Sequence, residues 1–282
     1  MGEIKVNIKR MIQIASCSVL LVIAYIPTIL WMADRWFAKE SYYGHGILIP
    51  IVSLVIVWQR WEMLKKIKQV SAMSGLWIVA ACLVINIVCA SLKIYFVSGF
   101  SLVIAIYGMI LFFFGKEMVR NLTFPIFFLL AMIPLPLVII GNLTVKLKLF
   151  AAQAATFVLN KVGFPCVRDG SVIVMPHSHT IVEAPCSGLR SLISLLTLGL
   201  LFSYIVKTTF VKKAVIFVSS APIAIVSNIV RIVLLAAVND LYGEKVAMGF
   251  FHDFTGFLVF AIAFAGLYTV SNLLEPKKNA YQ

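Results

Sequence analysis

Long uninterrupted apolar runs dominate the pattern of this chain, rather than strand-like alternation or a one-sided helical stripe. They fall near residues 12–32, 44–60, 74–92, 95–114, 122–140, 188–206, 214–236 and 252–271. Each is close to the roughly 20 residues that cross about 30 Å of hydrocarbon as a helix. The pattern predicts an all-α polytopic membrane protein with about eight transmembrane helices. The first run is too long, and too poor in small-residue cleavage sites, for a removable signal peptide, so it is expected to stay as a helix.

One segment, 141–185, breaks the rhythm. Its first part, "NLTVKLKLFAAQAATFVLNKVG", mixes Lys146 and Lys148 with apolar residues at helical spacing, which predicts an amphipathic helix lying along the interface. Its second part, "VRDGSVIVMPHSHTIVEAP", has turn residues at Asp169 and Gly170 and short β-branched runs around Pro176 to Thr180. A small two-stranded β-hairpin is expected there, leading into span six.

Composition agrees with the pattern. The 282 residues are 62% hydrophobic and 12% charged, with mean hydropathy +1.02, and a soluble domain of this size could not hide so much apolar surface. No linker or separate soluble domain is visible, so 1–282 reads as one transmembrane domain. The net charge of +13 sits mainly between the apolar runs. That is a topological signal and not a nucleic-acid footprint, and no nucleic-acid partner is expected. Basic clusters at Lys9–Arg10, Lys65–Lys66, Lys212–Lys213 and Lys277–Lys278 place both termini in the cytoplasm of a multi-pass inner-membrane protein whose lipids are its surroundings. Of five cysteines, Cys17, Cys82 and Cys89 lie within runs, where small apolar filler is the ordinary role. Cys166 and Cys186 lie outside the core or at its edge.

Charged and polar groups within such runs are costly and each asks for a reason. Arg190 stands one turn into span six after Cys186, Asn228 and Arg231 stand in span seven, and His252 opens span eight. With this topology Cys186, Arg231 and His252 reach one depth, the extracytoplasmic edge. The set suits thiol acyl transfer. A thiolate favoured by a helix N-terminus and by Arg231 or Arg190 attacks a peptide carbonyl, a donor stabilises the oxyanion and His252 moves a proton. Ser187, Gly188, Glu183 and Asn228 are expected to support the site or bind substrate, and His45 in "YYGHGIL" is a further polar candidate. Taken singly, each residue also has a plainer role: a structural cysteine, an arginine snorkelling to the interface, a tolerated interfacial histidine. "HSH" at 177–179 has no carboxylate or cysteine at ligand spacing, so neither metal nor cofactor is expected.

The segments "EAPCSGLRSL", "SNIVRI" and "HDFTGF" resemble three signature segments of the exosortase/archaeosortase family. "FPIFFLLAMIPLPL", "VRDGSVIVM" and "YYGHG" are similar to its central and early regions, so the likeness runs over about 42–268. It implies an eight-span cysteine protease or transpeptidase that cleaves the sorting signal of exported proteins ending in a short motif such as Pro-Glu-Pro, a membrane helix and a basic tail (PEP-CTERM type). Their new carboxyl end would pass to an envelope amine or lipid. It further implies Cys186 as acyl-thioester nucleophile, with Arg231 as proton donor or oxyanion partner and His252 as transition-state stabiliser. Two rivals are a transporter or lipid carrier binding an anionic headgroup, and a non-catalytic polysaccharide-export component.

Overall fold

The computed structural model describes residues 8–247 and 249–275, and the chain divides into two compact units, Met1–Leu135 and Pro136–Gln282. The terminal basic residues Lys5, Lys277 and Lys278 lie outside the described residues.

In the first unit, α1 (Ile8–Ala24) and α2 (Ile26–Trp36) meet at Tyr25 with a 63° bend. Pro27 in the first turn of α2 cannot donate to the preceding turn, which favours a break there. The Ala24 carbonyl at the bend accepts from Asn86 Nδ2 at 2.9 Å. Ser98 Oγ donates to Asn86 Oδ1 (2.6 Å) and therefore accepts from Thr28 Oγ1 (2.5 Å). This chain of buried polar groups is paired throughout, as a low-dielectric interior requires. After α3 (Leu48–Gln59) and the single turn α4 (Trp61–Leu64), the helices α5 (Ser74–Ser91) and α6 (Tyr95–Phe114) form a tight antiparallel pair. A side chain at Gly75 would meet Gly108 O at 2.5 Å, so small residues let these backbones touch.

The expected fifth span is not one helix. α7 (Lys116–Phe128) passes into a 3₁₀ turn, Leu129–Met132, and Ile133 is extended with ψ 116°. Pro134 disfavours helical backbone at Ile133, and Pro136 does the same at Leu135. The next helix, α8 (Leu137–Lys161), begins right after Pro136 and opens the second unit. It was expected to lie along the interface, yet its 25 residues are long and apolar enough to cross a membrane. Among the described residues five helices meet that test, or six if the bent α1–α2 pair is one span, against the eight spans expected. Leu48–Gln59 and Leu189–Ile205 are apolar but shorter.

In the second unit α8 is followed by β1 (Val167–Asp169), β2 (Val172–Val174) and β3 (His179–Ile181). They form a three-stranded antiparallel sheet in the order β1-β2-β3, with Arg168 facing Ile173 and Ile173 facing Thr180. The expected hairpin had two strands. Both of its turns in fact close, and His179–Ile181 pairs as a third strand. Then come α9 (Leu189–Ile205), α10 (Phe210–Tyr242), the single turn α11 (Glu244–Ala247) and α12 (Phe250–Leu274). α10 packs on both α9 and α12, with Leu195, Ala224 and Ala263 buried between them. At Gly199 a side chain would meet Ser220 Cβ at 2.8 Å. A second core joins α8 (Ala151, Ala152, Ala155, Leu159) to Ile173 of β2 and Ile232 of α10. Cys186 sits in it.

Candidate active site

Pro185–Ser187 is a short 3₁₀ turn in which the Cys186 amide donates to Glu183 O (3.1 Å) and the Ser187 amide to Ala184 O (3.2 Å). Gly188 ends the turn in the left-handed region, φ +84°, and starts α9. A Cβ there would also stand 2.8 Å from Cγ and Nδ2 of Asn228, so glycine is required by backbone and by neighbour alike. The Leu189 amide turns to Ser187 Oγ at 3.3 Å. The Cys186 carbonyl accepts from Asn228 Nδ2 at 3.0 Å.

Three elements bring the reactive groups together. Cys186 Sγ lies 3.6 Å from His252 Nε2, and Arg231 Nη2 lies 3.0 Å from the same nitrogen. His252 is held in the first turn of α12 by its amide bond to Gly249 O, and Arg231 projects from α10 one turn after Asn228. A guanidinium has donors only, so Nε2 is an acceptor whose one lone pair is turned to Arg231 with the thiol close beside it. Arg231 Nε is buried with no hydrogen-bond partner among the described residues. Arg231 and His252 line a cavity of about 350 Å³ together with Gly188, Ser191, Ser194 and Gly256.

Cys186 is only 9% exposed, and burial pushes its pKa above the ordinary thiol value. Arg231 pulls it down, Glu183 pushes it up and Arg190 pulls it down, in that order of size. Burial outweighs the cations, a direction opposite to the lowering expected from Arg231, Arg190 and the helix N-terminus.

The remaining candidates divide. Ser187 and Asn228 are buried at the turn. Arg190 is exposed and lines the cavity. The Glu183 side chain is exposed, and it is its carbonyl that holds the Cys186 amide. His45 belongs to the first unit, where its ring stacks on Tyr43 with centroids 6.0 Å apart and burial lowers its pKa. Among the described residues no group of three or more His, Cys, Asp or Glu could hold a metal.

Sequence reasoning missed Asn239 and Asp240 at the end of α10. Asn239 Nδ2 donates to Thr180 Oγ1 (3.0 Å) and His179 O (3.2 Å), while Asp240 Oδ1 accepts from the His177 amide and Ser178 Oγ, both at 3.2 Å. They fasten β3 and the turn before it, and with them the segment that leads to Cys186, to the helix carrying Arg231. Polar residues are ordinary where an apolar helix ends, so nothing in "VND" marked this clamp.

A family model described as transmembrane exosortase (Exosortase_EpsH) matches residues 31–269. The chain belongs to the transmembrane exosortase family. Comparisons with curated proteins and with solved structures gave no match. The exosortase match spans every candidate from His45 to His252 and all but the first and last stretches of the helical frame. Family and fold together make this a multi-pass membrane protein.

Proposed function

We propose that this exosortase is a cysteine transpeptidase that cleaves the C-terminal sorting signal of exported proteins. The observation that carries the reading is the continuous line from Cys186 Sγ through His252 Nε2 to Arg231 Nη2, with His252 and Arg231 on the wall of one cavity. His252 Nε2 exchanges its bond from Arg231 for the thiol proton as Sγ attacks the substrate carbonyl carbon. The carbonyl oxygen becomes an oxyanion, for which the Arg231 guanidinium at the cavity wall offers donors. Collapse breaks the C–N bond, His252 returns the proton to the leaving amine, and a thioester remains on Cys186. An envelope acceptor amine, lipid-borne or otherwise, or water then displaces the thiol.

Orientation follows from charge within the second unit. Lys207 lies in the α9–α10 turn and Lys212 and Lys213 in the first turn of α10, at the far end of α9 from Cys186. The positive-inside tendency puts that turn in the cytoplasm and the site at the extracytoplasmic face of the inner membrane, where a substrate anchored by one helix and a basic tail would present its scissile bond. A second reading, an anionic-headgroup binder or transporter, draws on Arg190 and Arg231 in the same cavity. Processing of a tagged exported protein decides between them. Cys186→Ala should accumulate normally and process nothing, and full processing by that variant ends the transpeptidase reading.

A further inference from the structure

Asn228 stands on the cavity wall and could be taken for a substrate contact, but its strongest interactions point away from the cavity. It is 3% exposed, and its amide nitrogen is spent on the carbonyl of the nucleophile itself. That carbonyl needs a partner from outside its own segment. Had the 3₁₀ turn run straight into α9, the amides of the next turn would have satisfied it. Gly188 turns left-handed and the Leu189 amide goes to Ser187 Oγ instead. Asn228 fills the gap across the interface between α10 and the turn, and its Cβ, Cγ and Nδ2 occupy the space beside Gly188. One turn further along α10 comes Arg231, which bonds His252. A single helix face therefore holds the backbone of Cys186 and, through Arg231, the ring that Sγ must reach.

We propose that Asn228 is a positioning residue: its bond to the Cys186 carbonyl sets the approach of Sγ to His252 Nε2 rather than binding substrate. The idea deepens the transpeptidase reading and rests on Cys186 as nucleophile, but its effect is visible without any substrate. A displacement of about 1 Å at a reacting atom is enough to cost on the order of 100-fold in rate, and the 3.6 Å contact from Sγ to Nε2 leaves no slack for it.

The test uses the full-length protein with Cys17, Cys82, Cys89 and Cys166 replaced by alanine, so that iodoacetamide reports Cys186 alone. The rate of alkylation is followed against pH. Asn228→Ala should move the midpoint upward by on the order of one pH unit, about a 10-fold lower rate at neutral pH, because the thiol loses its partners while staying buried. His252→Ala should do the same, and the double variant should shift no further than either alone, since both act on one contact. Gly199→Ala, which crowds Ser220 elsewhere on α10, should lower thermal stability and leave the midpoint in place. That separates positioning from general loosening of the helix. If Asn228→Ala does not accumulate, the near-isosteric Asn228→Asp carries the test, because it sets a carboxylate against the carbonyl and should shift the midpoint at least as far. With a processed substrate, kcat should fall about 100-fold at unchanged KM. An unmoved midpoint, additive shifts with His252→Ala, or a rise in KM alone would each overturn the proposal. Processing that survives Cys186→Ala would instead sink the transpeptidase reading and leave the alkylation result standing.

Discussion

Gly188→Ala is the most demanding single perturbation of the site, and its cost divides into two parts that can be measured separately. The backbone part comes from φ +84°, a region that costs a residue with a Cβ roughly 1–2 kcal/mol. The packing part comes from Asn228, whose Cγ and Nδ2 would stand 2.8 Å from the new methyl. Ordinary contact begins at 3.4 Å, so these atoms must part by about 0.6 Å, within a buried core where a comparable overpacking costs about 1–3 kcal/mol. Either the turn or Asn228 gives way, and in both cases the Asn228–Cys186 bond stretches and Sγ leaves its place against His252. Gly170 is the matched control. It lies at the β1–β2 turn with φ +58°, and a methyl added there would meet nothing within 4 Å, so Gly170→Ala carries the backbone part only. Thermal unfolding in detergent should show both variants destabilised, Gly188→Ala about twice as much. Processing of a tagged substrate should fall on the order of 100-fold in Gly188→Ala and stay near normal in Gly170→Ala. Equal processing by the two would refute the argument that the glycine is required by the nucleophile's surroundings and not by the turn alone.

Arg231→Lys keeps the charge but loses the fork of donors, one of which reaches His252. Processing should fall about 100- to 1,000-fold at normal abundance, and near-normal processing would remove Arg231 from the catalytic set. For the thiol, alkylation of Cys186 should rise with pH through a midpoint above that of an ordinary cysteine. Arg231→Gln removes a lowering influence and should move the midpoint up, whereas Glu183→Gln removes a raising one and should move it down; shifts of the opposite sign would contradict the electrostatics described. Cysteines placed at Ser71 and Ser178 should label from opposite sides of the membrane, and labelling of Ser178→Cys from the cytoplasm would invert the proposed orientation.

What the sequence made legible was whatever stood out against an apolar background. Arg231 and His252 were visible because a charge or an imidazole near a membrane run is costly, and Cys186 because it opens such a run beside a glycine. The helices Ser74–Ser91 and Tyr95–Phe114 follow their apolar runs almost residue for residue. The break at Pro134 and Pro136 was harder to read, since hydropathy summed over "FPIFFLLAMIPLPL" is high whether or not the backbone bends. The same averaging hid the length of α8, whose lysines suggested an interfacial helix while its alanine stripe was already a packing face. The third strand escaped because three residues are too few to show alternation. The raised pKa of Cys186 depends on burial against α8 and α10, which no local segment reveals.

The helix α10 also acts as a ruler. At 1.5 Å per residue its 33 residues reach about 50 Å, and the working side chains are strung along it at Asn228, Arg231, Asn239 and Asp240. Asn228 and Asn239 are eleven positions apart, close to three full turns at 3.6 residues each, so they look out over nearly the same face. A substitution between them costs whatever that one side chain contributes. An insertion or deletion of one residue between them would swing everything beyond it by about 100°, separating the β3 clamp from the groups around Cys186. Length variation in this chain should therefore be tolerated in the turns that flank α10 and purged from the stretch between Asn228 and Asp240, however conservative the inserted residue.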